Sequence, residues 1–157
     1  MHRRLPVFLL ACLAGAAHAS PIPALEPDPS APAGACGMVT TSARVPEGID
    51  LHPARVLRAG EHRLRARNLH RLQPGVHVLV VAEAIAEKDL STVQVRQRTQ
   101  LRHRNVDIYK PLIVEVRPDR LYRVGVHLMR DQLDRASIRR NAYWVPVVYE
   151  EMQQSCS

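Results

Sequence analysis

Aromatic residues are scarce in this sequence, at 4% of the chain with a single Trp and a single Phe. Proteins that bind single-stranded nucleic acid stack the bases on several exposed aromatic rings, so nucleic acid is not an expected partner. The chain has seven glycines and no glycine-rich loop of the kind that cradles phosphate. It also has no apolar run of the roughly 20 residues that a transmembrane helix needs. A nucleic-acid-binding, nucleotide-binding or membrane-spanning protein is therefore not expected.

The N-terminus has the three-part pattern of a secretory signal peptide. Met1–Arg4 is positively charged, Leu5–Gly15 is apolar, and Ala17-His18-Ala19 is a small-x-small cleavage site. We therefore predict that residues 1–19 are a signal peptide and that the mature protein is periplasmic or secreted. A minor alternative is a lipoprotein signal in which Cys12 becomes lipidated.

Cysteine is also rare, with three residues in the chain. Cys12 leaves with the predicted signal, so Cys36 and Cys156 remain as an even pair in an oxidising compartment. This pairing predicts a disulfide bond that joins the two ends of the folded part. Closing so long a loop stabilises a fold by at most about 4–5 kcal/mol. Two unpaired thiols are the alternative.

The charge is positive and is carried almost entirely by arginine, because the only lysines are Lys88 and Lys110. The full chain has a net charge of +7, and loss of Arg3 and Arg4 with the signal lowers it by two. A basic surface could bind anionic polymers or lipid headgroups. The codon bias of a GC-rich genome is an equally simple explanation for the excess of arginine.

Residues 20–35 are rich in proline, which indicates an extended linker or a disordered segment. Residues 36–157 then form a single domain large enough for a core. Alternating apolar residues predict a mainly β fold, a small antiparallel β-sandwich with at most one short helix. The predicted strands are Met38–Val45, Ala54–Arg58, His62–Arg67, Val76–Ala86, Pro111–Arg117, Leu121–Met129 and Ala142–Glu150.

Several of these strands carry further expectations. In His62–Arg67 the arginines Arg63, Arg65 and Arg67 share one face, although a helix over Glu61–Leu72 is a competing interpretation. Val76–Ala86 is the expected central strand. Pro111–Arg117 and Leu121–Met129 are expected to form one antiparallel hairpin, and Pro146 places the last strand at an edge of the sheet or marks a bulge.

The segment Asp89–Asp107 is polar and basic, and we predict that it forms a long hairpin arm. Its arginines, Arg96, Arg98, Arg102 and Arg104, are candidates for binding an anion. The alternative is a solvated edge hairpin, since edge strands often carry charge to block unwanted pairing.

No pattern of catalytic residues is present. The histidines lack metal-ligand spacing, and no Gly-x-Ser-x-Gly motif occurs, so neither an enzyme nor a metal or other cofactor is expected. Trp144 beside Arg139 and Arg140 is a candidate contact for a partner. Trp144 could instead anchor the core.

Two stretches suggest a family. Arg55–Gly60, followed by Leu72–Val80, gives a short strand that ends in glycine and a Pro-Gly-x-His turn into a strong strand. Pro111–Val116, followed by Leu121–Val124, gives a strand, a turn and a Tyr-x-Val strand. The chain therefore resembles PEGA-type domains and similar uncharacterised small bacterial periplasmic β-domains over about half of its mature length. This resemblance implies a β-sandwich in the cell envelope and no catalytic residues.

The function expected from the sequence is a non-enzymatic, exported module that binds another envelope protein or supports an assembly. One alternative is a binder of anionic envelope polymers or lipid headgroups through the Arg96–Arg104 arm. A secreted inhibitor is another alternative, because small disulfide-bonded β-domains present loops well.

Overall fold

The computed structural model describes residues 34–41, 45–46, 48–65, 67–103 and 108–156. The predicted signal peptide, Cys12, most of the predicted linker and Arg104 lie outside these ranges. In the described part of the chain, no helix is both long enough and apolar enough to cross a bilayer.

The described chain is mainly β, which confirms the predicted fold class. It forms one open sheet of eight strands and two α-helices, where at most one short helix was predicted, with 3-10 turns at Glu87–Asp89 and Arg130–Gln132. The elements in chain order are β1 Gly37–Thr40, β2 Leu51–Ala59, β3 His62–Arg63, β4 Leu69–Leu72, β5 Gly75–Glu83, α1 Thr92–His103, β6 Lys110–Val116, β7 Arg120–Leu128, α2 Arg135–Arg139 and β8 Trp144–Gln153.

Strand β7 organises the sheet because it pairs along both edges. One edge pairs antiparallel with β8 over its full length. The other edge is shared: β1 pairs in parallel with residues 121–123, and the start of β2 pairs antiparallel with residues 125–127. Beyond Pro53, β2 runs beside β5, and β5 pairs with β6. The sheet therefore divides at β7 into two arms, one formed by β1 and β4 and the other by β2, β5 and β6. The connected sheet and its one parallel pair differ in detail from the predicted antiparallel sandwich.

The core lies on the inner face of this divided sheet. Its most buried side chains are Trp144, Leu79, Leu128, Ile138, Val39, Val81, Val116, Val124 and Val126. Each fully buried side chain of this kind stabilises the fold by roughly 1.5–3 kcal/mol. Trp144 also satisfies its only polar group, because Nε1–H donates to Oδ1 of Asn141 at 2.6 Å.

The predicted pairing of Pro111–Arg117 with Leu121–Met129 is wrong. Both segments are strands, β6 and β7, but β6 pairs with β5 and β7 pairs with β8, β1 and β2. Asp119, in the turn between them, has a positive φ of 51°. The turn carries the chain from one arm of the sheet to the other instead of closing a hairpin. The competing helix over Glu61–Leu72 is also wrong, because β3 and β4 occupy that segment.

The predicted hairpin arm at Asp89–Asp107 is wrong as well, because its middle forms α1. Ser91 and Gln94 begin this helix with reciprocal hydrogen bonds: Ser91 N–H donates to Gln94 Oε1, and Gln94 N–H donates to Ser91 Oγ. This arrangement is a capping box, which satisfies backbone donors at a helix start. Arg98 and Leu101, three residues apart on one helix face, are buried against the sheet.

The predicted disulfide between Cys36 and Cys156 is confirmed, with a Cα–Cα distance of 6.0 Å. These cysteines extend β1 and β8, the strands that flank β7 at Leu121. Backbone bonds from Asp119 N–H to Cys36 O and from Gln154 N–H to Asp119 O hold the two ends together. The sheet therefore brings the cysteines within the usual bonding range.

Candidate anion-binding cleft

A cleft of about 980 Å³ lies beside β2, past the point where β2 leaves β7 and pairs with β5. Strand β2 and the connection from β3 to β4 contribute most of its lining, and the start of β6 contributes Tyr109, Lys110 and Pro111. Thr41 after β1 and Asn68 before β4 complete the opposite side, where Thr41 N–H donates to Asn68 O. The cleft therefore joins the two arms of the sheet.

The charge of this cleft is of one sign. Its cationic side chains are Arg55, Arg58, Arg63, Arg65, Arg67 and Lys110, and no Asp or Glu is among the described residues that line it. We call these six residues the basic cleft. Like charges gathered in a concave surface raise the local positive potential and attract anions.

A β-bulge at Leu57 places two of these arginines on the same face. Arg55 lies opposite Ala82 on β5, and after the bulge Arg58 lies opposite Val80. Since Ala82 and Val80 are two residues apart, Arg55 and Arg58 share one face of the sheet. Ala54, Val56 and Ala59 occupy the other, buried face.

The five arginines of the basic cleft have no carboxylate within ion-pair distance in the described chain. Arg58 donates a long hydrogen bond, 3.4 Å, to the backbone oxygen of Glu61. By contrast, Arg98, Arg102, Arg117, Arg120, Arg123 and Arg130 each pair with an acidic side chain. The charge of the cleft is thus left for a ligand to neutralise.

Lys110 is the one lysine of the cleft, and Trp144 fixes the position of its ammonium group. Its ammonium donates to the backbone oxygen of Trp144 and lies 4.7 Å from the centre of the Trp144 ring. Such a cation–π contact fixes the position of the charge. Burial lowers the pKa of Lys110.

Of the predicted anion site on Arg96, Arg98, Arg102 and Arg104, two arginines are already paired inside the protein. Arg98 is buried, donates to Ile85 O at 2.7 Å and lies 3.6 Å from Glu83. Arg102 donates to the same carboxylate at 2.5 Å. Arg96 is exposed on α1, while Arg104 lies outside the described residues. Two of the four guanidinium groups are therefore already neutralised within the protein.

Glu83 is the centre of this internal network. Besides the two arginines, it accepts hydrogen bonds from the hydroxyl of Tyr143 at 3.1 Å and from Ile85 N–H at 2.8 Å. Burial and the neighbouring Glu83 charge raise the pKa of Tyr143 well above its ordinary value, so its hydroxyl remains a donor. The network attaches α1 and the start of β8 to β5.

The predicted partner contact at Trp144 is also wrong, because Trp144 is fully buried. It serves as the core anchor that the sequence offered as the alternative. Arg139 and Arg140 are exposed at the end of α2. In the described chain, no group of three or more metal-ligating side chains could hold an ion.

Sequence patterns identified only part of the basic cleft. The alternation of Arg63, Arg65 and Arg67 is visible in the sequence, but it was assigned to a regular strand and not to a wall of a cleft. Arg55 and Arg58 both line the cleft because the bulge turns them to the same face, and Lys110 lines it because β6 pairs with β5. Neither feature has a local sequence signal.

Comparison with known proteins gives no match: no family model, no curated protein and no solved structure is significantly similar to the chain.

Proposed function

We propose that this protein is an exported, non-enzymatic binding domain of the cell envelope, and that it takes an anionic ligand in the basic cleft. The observation that carries the proposal is the group of five arginines and one lysine around a single cleft, with no carboxylate among the described residues that line it. This replaces the predicted Arg96–Arg104 surface with a different set of side chains.

The chemistry of arginine supports binding over catalysis. A guanidinium keeps its proton at any physiological pH and therefore acts as a fixed positive charge. Its planar fork donates paired hydrogen bonds to carboxylate, sulfate or phosphate oxygens. Several forks around about 980 Å³ of open space suit a ligand that presents several anionic groups.

The compartment belongs to the same proposal. The signal-like N-terminus and the disulfide between Cys36 and Cys156 both support an oxidising location, periplasmic or extracellular. The resemblance to PEGA-type domains supports an envelope module that acts through a partner.

Titration with soluble polyglutamate tests the proposal. We expect its affinity to fall steeply as salt rises from low to physiological concentration, because exposed charges are screened. Arg55→Gln and Arg58→Gln should each weaken binding about two- to fivefold, as expected for the loss of one exposed ion pair of up to about 1 kcal/mol.

Arg96→Gln is the matched control, because it removes the same charge from an exposed position outside the cleft. Equal losses in all three variants would mean that polyglutamate responds to net charge alone and would contradict a site in the cleft. Absence of binding at low salt would contradict the function itself.

A further inference from the structure

A partly exposed apolar surface runs along the outer face of β5 and β6. It consists of Val76, Val78, Val80, Pro111 and Ile113, which we call the apolar strip. Ile113 is 71% exposed and Val76 is 38% exposed, while Val78 and Val80 are half-buried. Exposed apolar side chains in a continuous group, unlike scattered ones, indicate a contact surface.

The apolar strip and the basic cleft are continuous. Arg58 on β2 lies opposite Val80 on β5, and Val80 lies opposite Pro111 on β6. Val80 and Pro111 also line the cleft. Two residues of the strip therefore line the cleft as well, beside Arg58, so one ligand could contact both surfaces.

The rows repeat at a spacing that an extended peptide matches. Along β5 the residues of this face, Ala82, Val80, Val78 and Val76, follow each other at every second position. Ala82 itself is buried, so its row is exposed through Arg55 on β2. These four residues mark four rows about 7 Å apart, or about 20 Å in all, from the rise of a strand. An extended peptide of seven residues has the same repeat and presents four side chains to these rows.

The two ends of this surface differ in charge. Arg55 and Arg58 occupy the two rows at one end, opposite Ala82 and Val80. At the far end, Glu115 lies opposite Val76 and pairs with Arg117 at 3.6 Å. Acidic side chains are therefore attracted to the first two rows and not to the fourth, where Arg117 offsets the charge of Glu115, so the acidic end of a peptide lies over Arg55 and Arg58.

We propose that the ligand is an extended polypeptide segment of a partner protein, with acidic side chains at two alternate positions followed by apolar side chains at two alternate positions. This inference rests on the proposed function and specifies its ligand. An anionic polysaccharide would satisfy the arginines, but it has no side chains that would cover Val76 and Ile113. The order of side chains defines this ligand, and its main chain can run either way because the side-chain repeat is the same in both directions.

Synthetic heptapeptides test the inference on the purified, oxidised protein. The first has aspartate at positions one and three, valine at positions five and seven, and serine between. A second has the reversed order, and a third replaces both valines with serine. We expect the first or the second to bind about tenfold more tightly than the third. Ile113→Thr should remove about three- to tenfold of that affinity, because it deletes exposed apolar area.

Val93→Thr is the matched control, since Val93 is 65% exposed on α1, away from the strip, and its replacement should change nothing. One result would overturn the polypeptide ligand and leave the anion-binding cleft standing. In that result all three peptides and polyglutamate bind with equal affinity, and Arg58→Gln weakens their binding while Ile113→Thr does not. If neither the peptides nor polyglutamate binds at low salt, both proposals are overturned.

Discussion

Glu83 on β5 and Arg98 on α1 form a buried ion pair, with 3.6 Å between Oε2 and Nη1 and 5% of each side chain exposed. Arg102 and Tyr143 bond to the other carboxylate oxygen. The helix that replaces the predicted hairpin arm is thus attached to the sheet by charge as well as by the burial of Leu101.

Removal of the charge on Glu83 should destabilise the fold strongly. In Glu83→Gln the buried guanidinium of Arg98 loses its buried counter-ion and keeps only the exposed Glu87 carboxylate at 4.0 Å, and breaking a buried pair in this way costs about 3–5 kcal/mol. Urea unfolding at neutral pH measures the change. Glu115→Gln is the control, because the exposed pair of Glu115 with Arg117 contributes no more than about 1 kcal/mol. Equal effects of both substitutions would show that the network contributes little.

Loss of the disulfide should lower stability without changing the native sheet. The bond closes a loop of 120 residues, and bridges of this kind contribute typically about 2–4 kcal/mol. We expect the double variant Cys36→Ser with Cys156→Ser to unfold at lower urea concentration, while its far-ultraviolet circular dichroism matches that of the oxidised protein. An unchanged midpoint would mean that the strand ladders alone hold the ends together.

Stability should fall as the pH drops below about 6.5, and His70 should contribute to the loss. Burial on β4 lowers the pKa of His70, and the positive charge of Arg67 acts in the same direction, against a hydrogen bond to the Arg67 backbone. The unfolded state then binds more protons than the folded state between the folded pKa and about 6.5. The stability from the neutral ring is therefore complete above that window and is lost as the pH falls through it.

Urea unfolding at a series of pH values checks this prediction. A single group contributes at most about 1.4 kcal/mol per pH unit, and His70→Gln should remove the contribution of His70 from the slope between pH 6.5 and 5. His77→Gln is the control, because His77 is less buried than His70 and already bonds to Gln73 O through Nε2 at 2.8 Å. A slope that responds to His77→Gln and not to His70→Gln would contradict the assignment.

The sequence was informative about strands because their side chains alternate between core and solvent. Val76–Ala86 and Leu121–Met129 were expected as strands and correspond to β5 and β7, and Pro146 does lie on an edge strand, β8. Strand pairing was harder to predict, because β1 pairs in parallel with β7, a strand that is distant from it in the sequence. That contact depends on tertiary packing and leaves no local pattern.

Helix α1 was missed for a local reason. Val93 and Val95 alternate as in a strand, and the arginines that follow are polar in any conformation. The sequence signal that favours a helix is Ser91 followed three residues later by Gln94. In the structure these two residues form a capping box. The same error made Arg98 and Arg102 candidates for binding an external anion, whereas in the helix both side chains face Glu83.

The most direct test of a binding site in the basic cleft compares two charge-matched triple variants. One replaces Arg63, Arg65 and Arg67 of the cleft with Gln, and the other replaces Arg135, Arg139 and Arg140, which are exposed at α2. Both lose three positive charges, so net charge is held constant while position changes. We predict that polyglutamate binding at low salt falls at least tenfold in the cleft variant and less than twofold in the α2 variant. Equal losses, or a larger loss in the α2 variant, would contradict the account.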